Sequence, residues 1–401
     1  MDSCNSGQKA ILSVLSTALF SRPLELPETL DWNAVLTESV SQAVFPLVYS
    51  ALRDQLALDI KEQWEKRYLQ ALSSNIRVFA AHSELHRHLS ENGIPYVILK
   101  GCASARFYPK PELRTMGDVD FLVAPDDLVR CAEILERIGM RRGDDGTNEF
   151  HWKYFFRSME YEMHWSPVGI SEVNAEKLHR YYQNVFERSV CADGLCGSCY
   201  VPSDFHHGLT LLLHTAAHMT TTGIGLRHLC DWAVFAEQFS EESFCKSFED
   251  CLKETGLWEF AKILTAISTR FLGGSRKPWT ADVSDDLLDS LMEDTWHGGN
   301  FGKKDPQRFG YSVLMTNGES GKVDNRGLFH SLLSAIHRKA KIHYPKLAAN
   351  YVLLPLAWTA TCWKYTWRVL TKRRPWMKLG KDTKAAKQRR ELFSRLKLFE
   401  D

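Results

Sequence analysis

Three short segments in the first half of the chain have the hydrophobic pattern of strands, whereas most other segments have that of helices. Residues 96–99 and 119–123 are apolar runs with β-branched side chains, which is typical of buried strands. Residues 155–165 alternate between apolar and polar side chains, the period of a half-buried strand. A small sheet is therefore expected, because this block is the only clear α/β part of the chain.

Helical segments separate these strands. Residues 103–108 and 128–138 can form helices between them, with Asp126 and Asp127 as the N-terminal cap of the second helix. Gly139 provides the stop that commonly ends a helix. The block thus runs strand, helix, strand, helix, strand.

Helical periodicity also extends on both sides of this block. Helices are predicted at residues 75–90, 209–218, 226–239 and 244–271, and from 328 onward, with a long Gly-, Asp- and Asn-rich loop at 296–325. The patterns predict an α+β fold, a small mixed β-sheet core flanked by helical regions. We divide the chain into an N-terminal helical region (1–92), the α/β core (93–200), a helical domain (201–295), and a loop and C-terminal helical region with a basic tail (296–401).

The C-terminal segment is strongly basic. Residues 364–401 carry thirteen Lys and Arg against four Asp and Glu, a charge of +9 in a chain whose net charge is +1, so the rest carries −8. Aromatic side chains precede it between Tyr344 and Trp363. This segment could lie on an anionic membrane surface, and the alternative is a packed helix followed by a solvated tail. No recognised motif supports nucleic acid as a partner.

The remaining composition predicts a cytoplasmic protein. Residues 1–9 lack the basic start and apolar run of a signal peptide, and no stretch reaches the ~20 apolar residues of a membrane span. Ten cysteines lack regular spacing, so free thiols are expected. The cluster Cys191, Cys196 and Cys199 has no fourth ligand of the kind that a structural zinc needs.

Asp118 and Asp120 lie one residue apart at the second predicted strand. Because side chains alternate along a strand, both carboxylates are expected on one face. Adjacent carboxylates raise each other's pKa unless a cation neutralises them, and Mg²⁺ or Mn²⁺ prefers such oxygen ligands. Such a pair can hold two metal ions for a phosphoryl displacement. The alternative is a pair of solvated or capping side chains.

Two neighbouring segments add groups that suit the same chemistry. Gly101 would let the backbone approach a phosphate at a helix start, and Lys100 and Arg114 bring the positive charge that a triphosphate requires. On the third strand, Glu162 and His164 share one face, so that Glu162 could be a third metal ligand or a general base. The alternative for this strand is a sheet edge with a polar solvent face.

These residues resemble the core motif of the nucleotidyltransferase (DNA polymerase β-like) superfamily. More narrowly, the chain is similar to the bacterial uncharacterised nucleotidyltransferase family, which is often associated with polysaccharide biosynthesis loci. The similarity is carried by Leu99-Lys100-Gly101, Tyr108-Pro109, Arg114, Asp118-Val119-Asp120 and Glu162-Met163-His164-Trp165, and more loosely by His214, His218, residues 226–232 and residues 299–302.

The resemblance implies metal-dependent transfer, with Mg²⁺ or Mn²⁺, of a nucleotidyl group from an NTP to the hydroxyl of a sugar, a sugar phosphate or a protein. It makes Asp118 and Asp120 metal ligands and Glu162 the carboxylate that aligns or deprotonates the acceptor. The basic C-terminal segment, and not the resemblance, predicts peripheral association with the inner membrane face. Gly101 is followed by Cys102, where the superfamily usually has Gly or Ser, so a nucleotide-binding pseudoenzyme is the alternative.

A second alternative is a helical phosphohydrolase with a metal held by histidines. His214 and His218 are four residues apart on a predicted helix, with His228 and Asp231 close in sequence. Two residues separate His228 from Asp231, whereas such enzymes use an adjacent His-Asp pair. We therefore assign His214 and His218, together with His164, to the pocket of the acceptor.

Overall fold

The computed structural model describes residues 4–143, 151–167, 174–305, 308, 328–371 and 379–399. Four helices come first: α1 (Ser6–Phe20), α2 (Trp32–Ser41), α3 (Phe45–Leu52) and α4 (Leu58–Glu91). The side chains of Asn5 and Asp31 cap α1 and α2 by accepting hydrogen bonds from backbone amides. The predicted helix at 75–90 is the second half of α4, which ends at Asn92 and Gly93 as expected.

A five-stranded sheet follows, in the order β1–β2–β5–β4–β3. Its strands are β1 (Tyr96–Ile98), β2 (Val119–Val123), β3 (Arg141–Arg142), β4 (His151–Phe156) and β5 (Met159–His164). β2 pairs antiparallel with β1 and parallel with β5, so the sheet is mixed and the predicted α+β class is confirmed. Two helices, α5 (Cys102–Ala105) and α6 (Leu128–Arg137), separate these strands near the predicted positions.

The rest of the described chain is mainly helical. Its elements are α7 (Ala175–Tyr182), the hairpin β6 (Val190–Gly194) and β7 (Gly197–Val201), then α8 (Asp204–Thr220), α9 (Leu226–Ala236), α10 (Glu241–Glu254), α11 (Trp258–Phe271), α12 (Asp285–Gly298), α13 (Leu328–His343), α14 (Pro345–Ala348), α15 (Leu354–Leu370) and α16 (Leu379–Leu396). None of the helices among the described residues is long and apolar enough to cross a membrane.

The two faces of β2 pack against different parts of the protein. Val119, Phe121 and Val123 pack into a cluster with residues of α4 and α6. Leu122 belongs to a second cluster, which joins the N-terminal helices to α8–α12. Because alternate residues share a face, Asp120 is turned in the direction of Leu122, towards the later helices. The four-part division of the chain stays a prediction.

The third predicted strand is wrong in its extent. The alternating residues 155–165 cross a hairpin turn at Arg157 and Ser158, whose φ angles are 47° and 66°. They belong partly to β4 and partly to β5, which pair antiparallel. A tight turn between two strands of similar polarity leaves the alternation almost undisturbed, so the pattern alone does not reveal it.

Three other local predictions also differ from the structure. The helix predicted at 244–271 is divided into α10 and α11 by a turn at Gly256, where φ is 67°. Asp127 makes no side-chain capping bond to α6, because Pro125–Asp127 forms a 3-10 turn instead. The loop predicted at 296–325 begins later, since Trp296 still belongs to α12, and most of its residues lie outside the described ones.

Close packing of α8 against α9 and α10 is the first feature that we would test. A Cβ atom at Gly208 would lie 2.7 Å from Phe235 and 2.8 Å from Phe248, so Gly208→Ala should destabilise the protein by roughly 1–3 kcal/mol through overpacking. Gly7→Ala in α1 meets its nearest atom at 3.5 Å and should be neutral or stabilising by up to about 1 kcal/mol. Urea unfolding of both variants compares them, and equal midpoints would contradict the packing argument.

Candidate active site

A cavity of about 420 Å³ lies between the sheet and helices α8 and α9. Its walls carry carboxylates, cations and histidines, with few apolar side chains. The charged and titratable groups that line it are Asp118, Asp120, Glu162, Asp231, Lys100, Arg114, Arg227, His151, His164, His214, His218 and His228. All the site residues predicted from the sequence therefore line this one cavity, together with several that were not predicted.

The three predicted carboxylates meet at the sheet. Asp120 and Glu162 are direct partners on the parallel strands β2 and β5, so their side chains leave the sheet side by side. Asp118 precedes Asp120 by two residues and lies on the same face. Each of the three offers an oxygen within 4.8 Å of the oxygens of the other two. The structure thus brings together the residues that were predicted to share a metal.

Positive groups surround Asp120. The Nζ atom of Lys100 lies 2.8 Å from Asp120 Oδ1, and His164 Nε2 lies 3.2 Å from the same oxygen. Burial alone would raise the pKa of Asp120, but these two groups hold it well below its usual value. The pKa of Asp118 is raised instead, first by the charge of Asp120 and then by burial. Asp120 is therefore ionised and the more tightly held of the two aspartates.

Glu162 has partners of its own. Lys153 Nζ lies 3.0 Å from Glu162 Oε1, and His164 Nε2 lies 3.5 Å from Oε2. Burial would raise the pKa of Glu162, but the contact with His164 and the ion pair with Lys153 keep it below its usual value. Glu162 is therefore ionised at neutral pH. Lys153 was not predicted as a site residue, because its strand β4 was not recognised.

Arg114 is placed differently from what its predicted role suggests. Its Nε and Nη2 atoms donate to the two carboxylate oxygens of Asp231 on α9, at 2.7 Å each. Tyr108 also donates to Asp231 Oδ1, at 2.6 Å. Arg114 is only 4% exposed. Two of its donors are thus committed to a buried ion pair, and the nucleotide contact proposed for Arg114 stays a prediction.

Position 101 requires a glycine because of its backbone conformation and because the ring of His82 lies close to it. The φ angle of Gly101 is 61°, and a Cβ atom there would lie 2.4 Å from the His82 ring of α4. His82 is buried, and burial lowers its pKa to about 3, so that a neutral ring packs beneath the turn. The turn leads directly into α5. The packing explains why a glycine stands here, while its predicted approach to phosphate stays a prediction.

The histidines of α8 and α9 form a second group. The ring centroids of His214 and His218 are 4.3 Å apart, and His228 lies 5.8 Å and 5.6 Å from them. Each ring offers a nitrogen within 4.8 Å of the others. Burial lowers the pKa of all three, that of His218 to about 3, so they are neutral. Asp231 does not join the three histidines, because it is paired with Arg114. The metal site of a His-Asp phosphohydrolase would therefore lack its carboxylate ligand here.

Sequence reasoning missed Arg227 and gave Phe301 no role. Arg227 lies in the first turn of α9 beside His228, and its guanidinium carbon lies 5.0 Å from the ring centroid of Phe301. Phe301 also packs on His218, at 4.5 Å between centroids. No spacing rule points to Arg227. Arg227 and Phe301 both fall in segments where the family resemblance was only loose, residues 226–232 and 299–302, and this loose resemblance was the available signal for both.

The comparison with known families agrees with this geometry. The family described as "Uncharacterised nucleotidyltransferase" matches residues 28–273, more than half of the chain. The matched segment includes the whole sheet and helices α8 and α9, and therefore both sides of the cavity apart from Phe301. The chain belongs to the uncharacterised nucleotidyltransferase family. A search of curated proteins found no match.

The ion pair between Arg114 and Asp231 predicts a loss of stability when it is broken. Asp231→Asn would leave a buried guanidinium without its counter-charge, which should destabilise the protein by about 3–5 kcal/mol. Asp204→Asn removes the same charge from a pair with Arg106 in which Asp204 is 55% exposed, and should cost less than about 1 kcal/mol. Urea unfolding of both variants measures the difference. Equal losses in the free energy of unfolding would show that the buried ion pair stabilises the protein no more than the exposed one.

Proposed function

We propose that this protein is a metal-dependent nucleotidyltransferase that moves a nucleotidyl group from an NTP to an acceptor hydroxyl. One observation carries the proposal: the carboxylates of Asp118, Asp120 and Glu162 converge within 4.8 Å in a cavity of about 420 Å³. That volume falls in the range of roughly 300–1,000 Å³ that is usual for small-molecule sites. Membership of the nucleotidyltransferase family supports the same activity.

The donor set fits a hard divalent cation. Three carboxylates supply only oxygen ligands, which Mg²⁺ and Mn²⁺ prefer. Asp118, Asp120 and Glu162 would hold the ion, whose charge would assist the displacement at the phosphoryl group. The ion pairs of Asp120 with Lys100 and of Glu162 with Lys153 show that this cluster already attracts positive charge. We propose Mg²⁺ or Mn²⁺ as the cofactor on these grounds.

The residues around the carboxylates suggest how the reactants are held. Lys100 contacts Asp120 and lines the same cavity, so its ammonium group can turn from that carboxylate to a triphosphate oxygen. Glu162 is ionised and opens onto the same cavity, where it can accept a hydrogen bond from the acceptor hydroxyl and orient it. His164 contacts both Asp120 and Glu162 and fixes their relative positions.

The two alternative functions have less support. A pseudoenzyme that only binds a nucleotide would not need three carboxylates in one cluster. A phosphohydrolase of the His-Asp kind would need Asp231 at the histidines, and Asp231 is engaged by Arg114 and Tyr108. The family resemblance further suggests a sugar, a sugar phosphate or a protein as acceptor, and a place in polysaccharide synthesis.

Removal of one carboxylate charge tests the transferase. Asp120→Asn keeps the volume of the side chain but removes a metal ligand, so Mg²⁺-dependent turnover should fall by at least about a hundredfold. The measurement is pyrophosphate release from each NTP, with candidate sugar phosphates and proteins as acceptors. Asp126→Asn, at an exposed position after β2, is the matched control and should leave turnover unchanged.

Circular dichroism would verify the fold of the Asp120 variant, and Glu162→Gln provides a second variant with the charge removed from the neighbouring strand. Full activity in both variants would rule out the carboxylates as metal ligands. Activity without divalent cations would do so as well.

We also propose that the C-terminal region docks the enzyme on an anionic surface, the inner face of a bacterial membrane. Trp363 and Trp367 of α15 are 67% and 57% exposed, and Tyr351 and Val352 just before it are almost fully exposed. Aromatic side chains of this kind favour the membrane interface. The basic residues at 372–374 and 378 lie outside the described residues, and near acidic lipid each such charge contributes about 1 kcal/mol.

Sedimentation with vesicles tests this docking. The protein should pellet with vesicles that contain acidic lipid and remain in solution with neutral ones, because both the charge and the aromatic side chains contribute. Replacing Trp363 and Trp367 together by Ala should release it. Replacing Leu58 and Val129, which are exposed apolar residues elsewhere on the protein, should not. If the protein pellets equally with both vesicle types, or with neither, the C-terminal region does not dock on an anionic membrane.

A further inference from the structure

The side of the cavity formed by α8 and α9 has donors and positive charge that the proposed transfer has not yet used. We call it the histidine wall and define it as His214, His218, Arg227, His228 and Phe301. Two of its groups, Arg227 and His228, are adjacent at the start of α9 and both line the cavity.

The proton on His228 can be assigned from one hydrogen bond. The backbone N–H of Gly225 donates to His228 Nδ1 at 3.3 Å. A backbone amide can only donate, so Nδ1 carries the lone pair, and the neutral ring must carry its proton on Nε2. His228 is 3% exposed, and Nε2 has no hydrogen-bond partner among the described residues. His228 therefore lines the cavity and carries a buried N–H donor that has no partner among the described residues.

Arg227 is a cation that has no direct ion-pair partner among the described residues. Its Nη1 donates to the carbonyl oxygen of Thr115 at 3.3 Å, whereas its Nε has no partner. No salt bridge in the described part of the chain includes Arg227. Burial and the charge of Arg114 lower its pKa, and the more distant charges of Asp231 and Asp118 offset this only in part. Arg114 on the same cavity differs, because Asp231 neutralises it. A guanidinium enclosed in this way is stabilised when an anion enters the cavity beside it.

We propose that Arg227 and His228 bind a phosphate group of a substrate. This inference rests on the proposed nucleotidyl transfer only for the role of that phosphate, since the binding itself depends on neither metal nor turnover. The guanidinium supplies charge and paired donors, and His228 Nε2 supplies a neutral donor beside it. Such a phosphate belongs either to the triphosphate of the NTP or to a phosphorylated acceptor.

A transition metal is the competing occupant of the histidine wall, because three neutral imidazoles lie within 4.8 Å of one another. Two observations favour the anion. A metal ligand needs a lone pair, and His228 presents a proton at the nitrogen that lacks a partner. The neighbouring cations Arg227 and Lys100 would also repel a second cation, and both lower the pKa of His214 after the larger effect of burial.

Phosphate binding tests the inference directly. Inorganic phosphate is titrated calorimetrically into the full-length protein in the presence of EDTA, so that neither divalent metal nor turnover contributes. Arg227→Gln should weaken binding roughly tenfold to a hundredfold, because a charge-assisted contact is lost. Arg53→Gln, the same change at an exposed arginine that does not line the cavity, should leave the affinity unchanged.

Arg227→Lys keeps the charge but not the paired donors, and should bind phosphate with intermediate affinity, which also guards against a misfolded Gln variant. No binding of phosphate by the unmodified protein, or equal affinity in the Arg227 and Arg53 variants, would overturn the proposal. The affinity for phosphate in EDTA does not depend on nucleotidyl transfer. The proposed phosphate site and the proposed transferase activity can therefore fail separately.

Two further titrations identify the ligand. If an NTP in EDTA displaces phosphate competitively, the wall binds the triphosphate of the donor, and if both bind together, it binds a phosphorylated acceptor. Either result supports the proposal. Co²⁺ added to phosphate-free protein probes the metal alternative. Stoichiometric uptake with a tetrahedral absorption spectrum that is lost in His214→Ala would overturn the proposal.

Discussion

The buried ion pair between Arg114 and Asp231 sets the relation between the two sides of the cavity. Arg114 lies in the loop before β2, close to the two aspartates, and Asp231 lies on α9, one helical turn after His228. Tyr108 adds a third group to the same carboxylate. Because a bidentate contact between buried groups tolerates little displacement, it fixes the sheet and the histidine-bearing helices at one distance.

The two sides of the cavity differ in charge, with carboxylates on the sheet and the cation Arg227 on α9. The carboxylates on the sheet are compensated by Lys100, His164 and Lys153, and burial keeps the histidines of α8 and α9 neutral. Arg227 forms no direct ion pair among the described residues, and Asp231 and Asp118 act on it only through more distant charge. A phosphorylated substrate and a divalent cation together would complement both sides, since the first needs a cationic partner and the second an anionic one.

Much of the site could be predicted because it rests on local pattern. β2 was predicted with its full extent, because residues 119–123 are a short apolar run with β-branched side chains, which is typical of a buried strand. The pairing of Arg114 with Asp231 joins residues 117 positions apart, and no local pattern contains it. The tautomer of His228 depends on a single hydrogen bond from Gly225, which also requires the folded helix start.

Phe301 shows that the site extends beyond the segment that defines the family. It lies after residue 273, yet its ring packs on His218 and under Arg227. Its backbone angles, φ 59° and ψ 32°, are unfavourable for a bulky side chain, by of order 1–3 kcal/mol. Neighbouring contacts must offset that cost, and the adjacent Gly302 allows the backbone to approach the carbonyl oxygen of Thr222. Residues 299–302 therefore help to form the cavity, because Phe301 lines it beside Arg227.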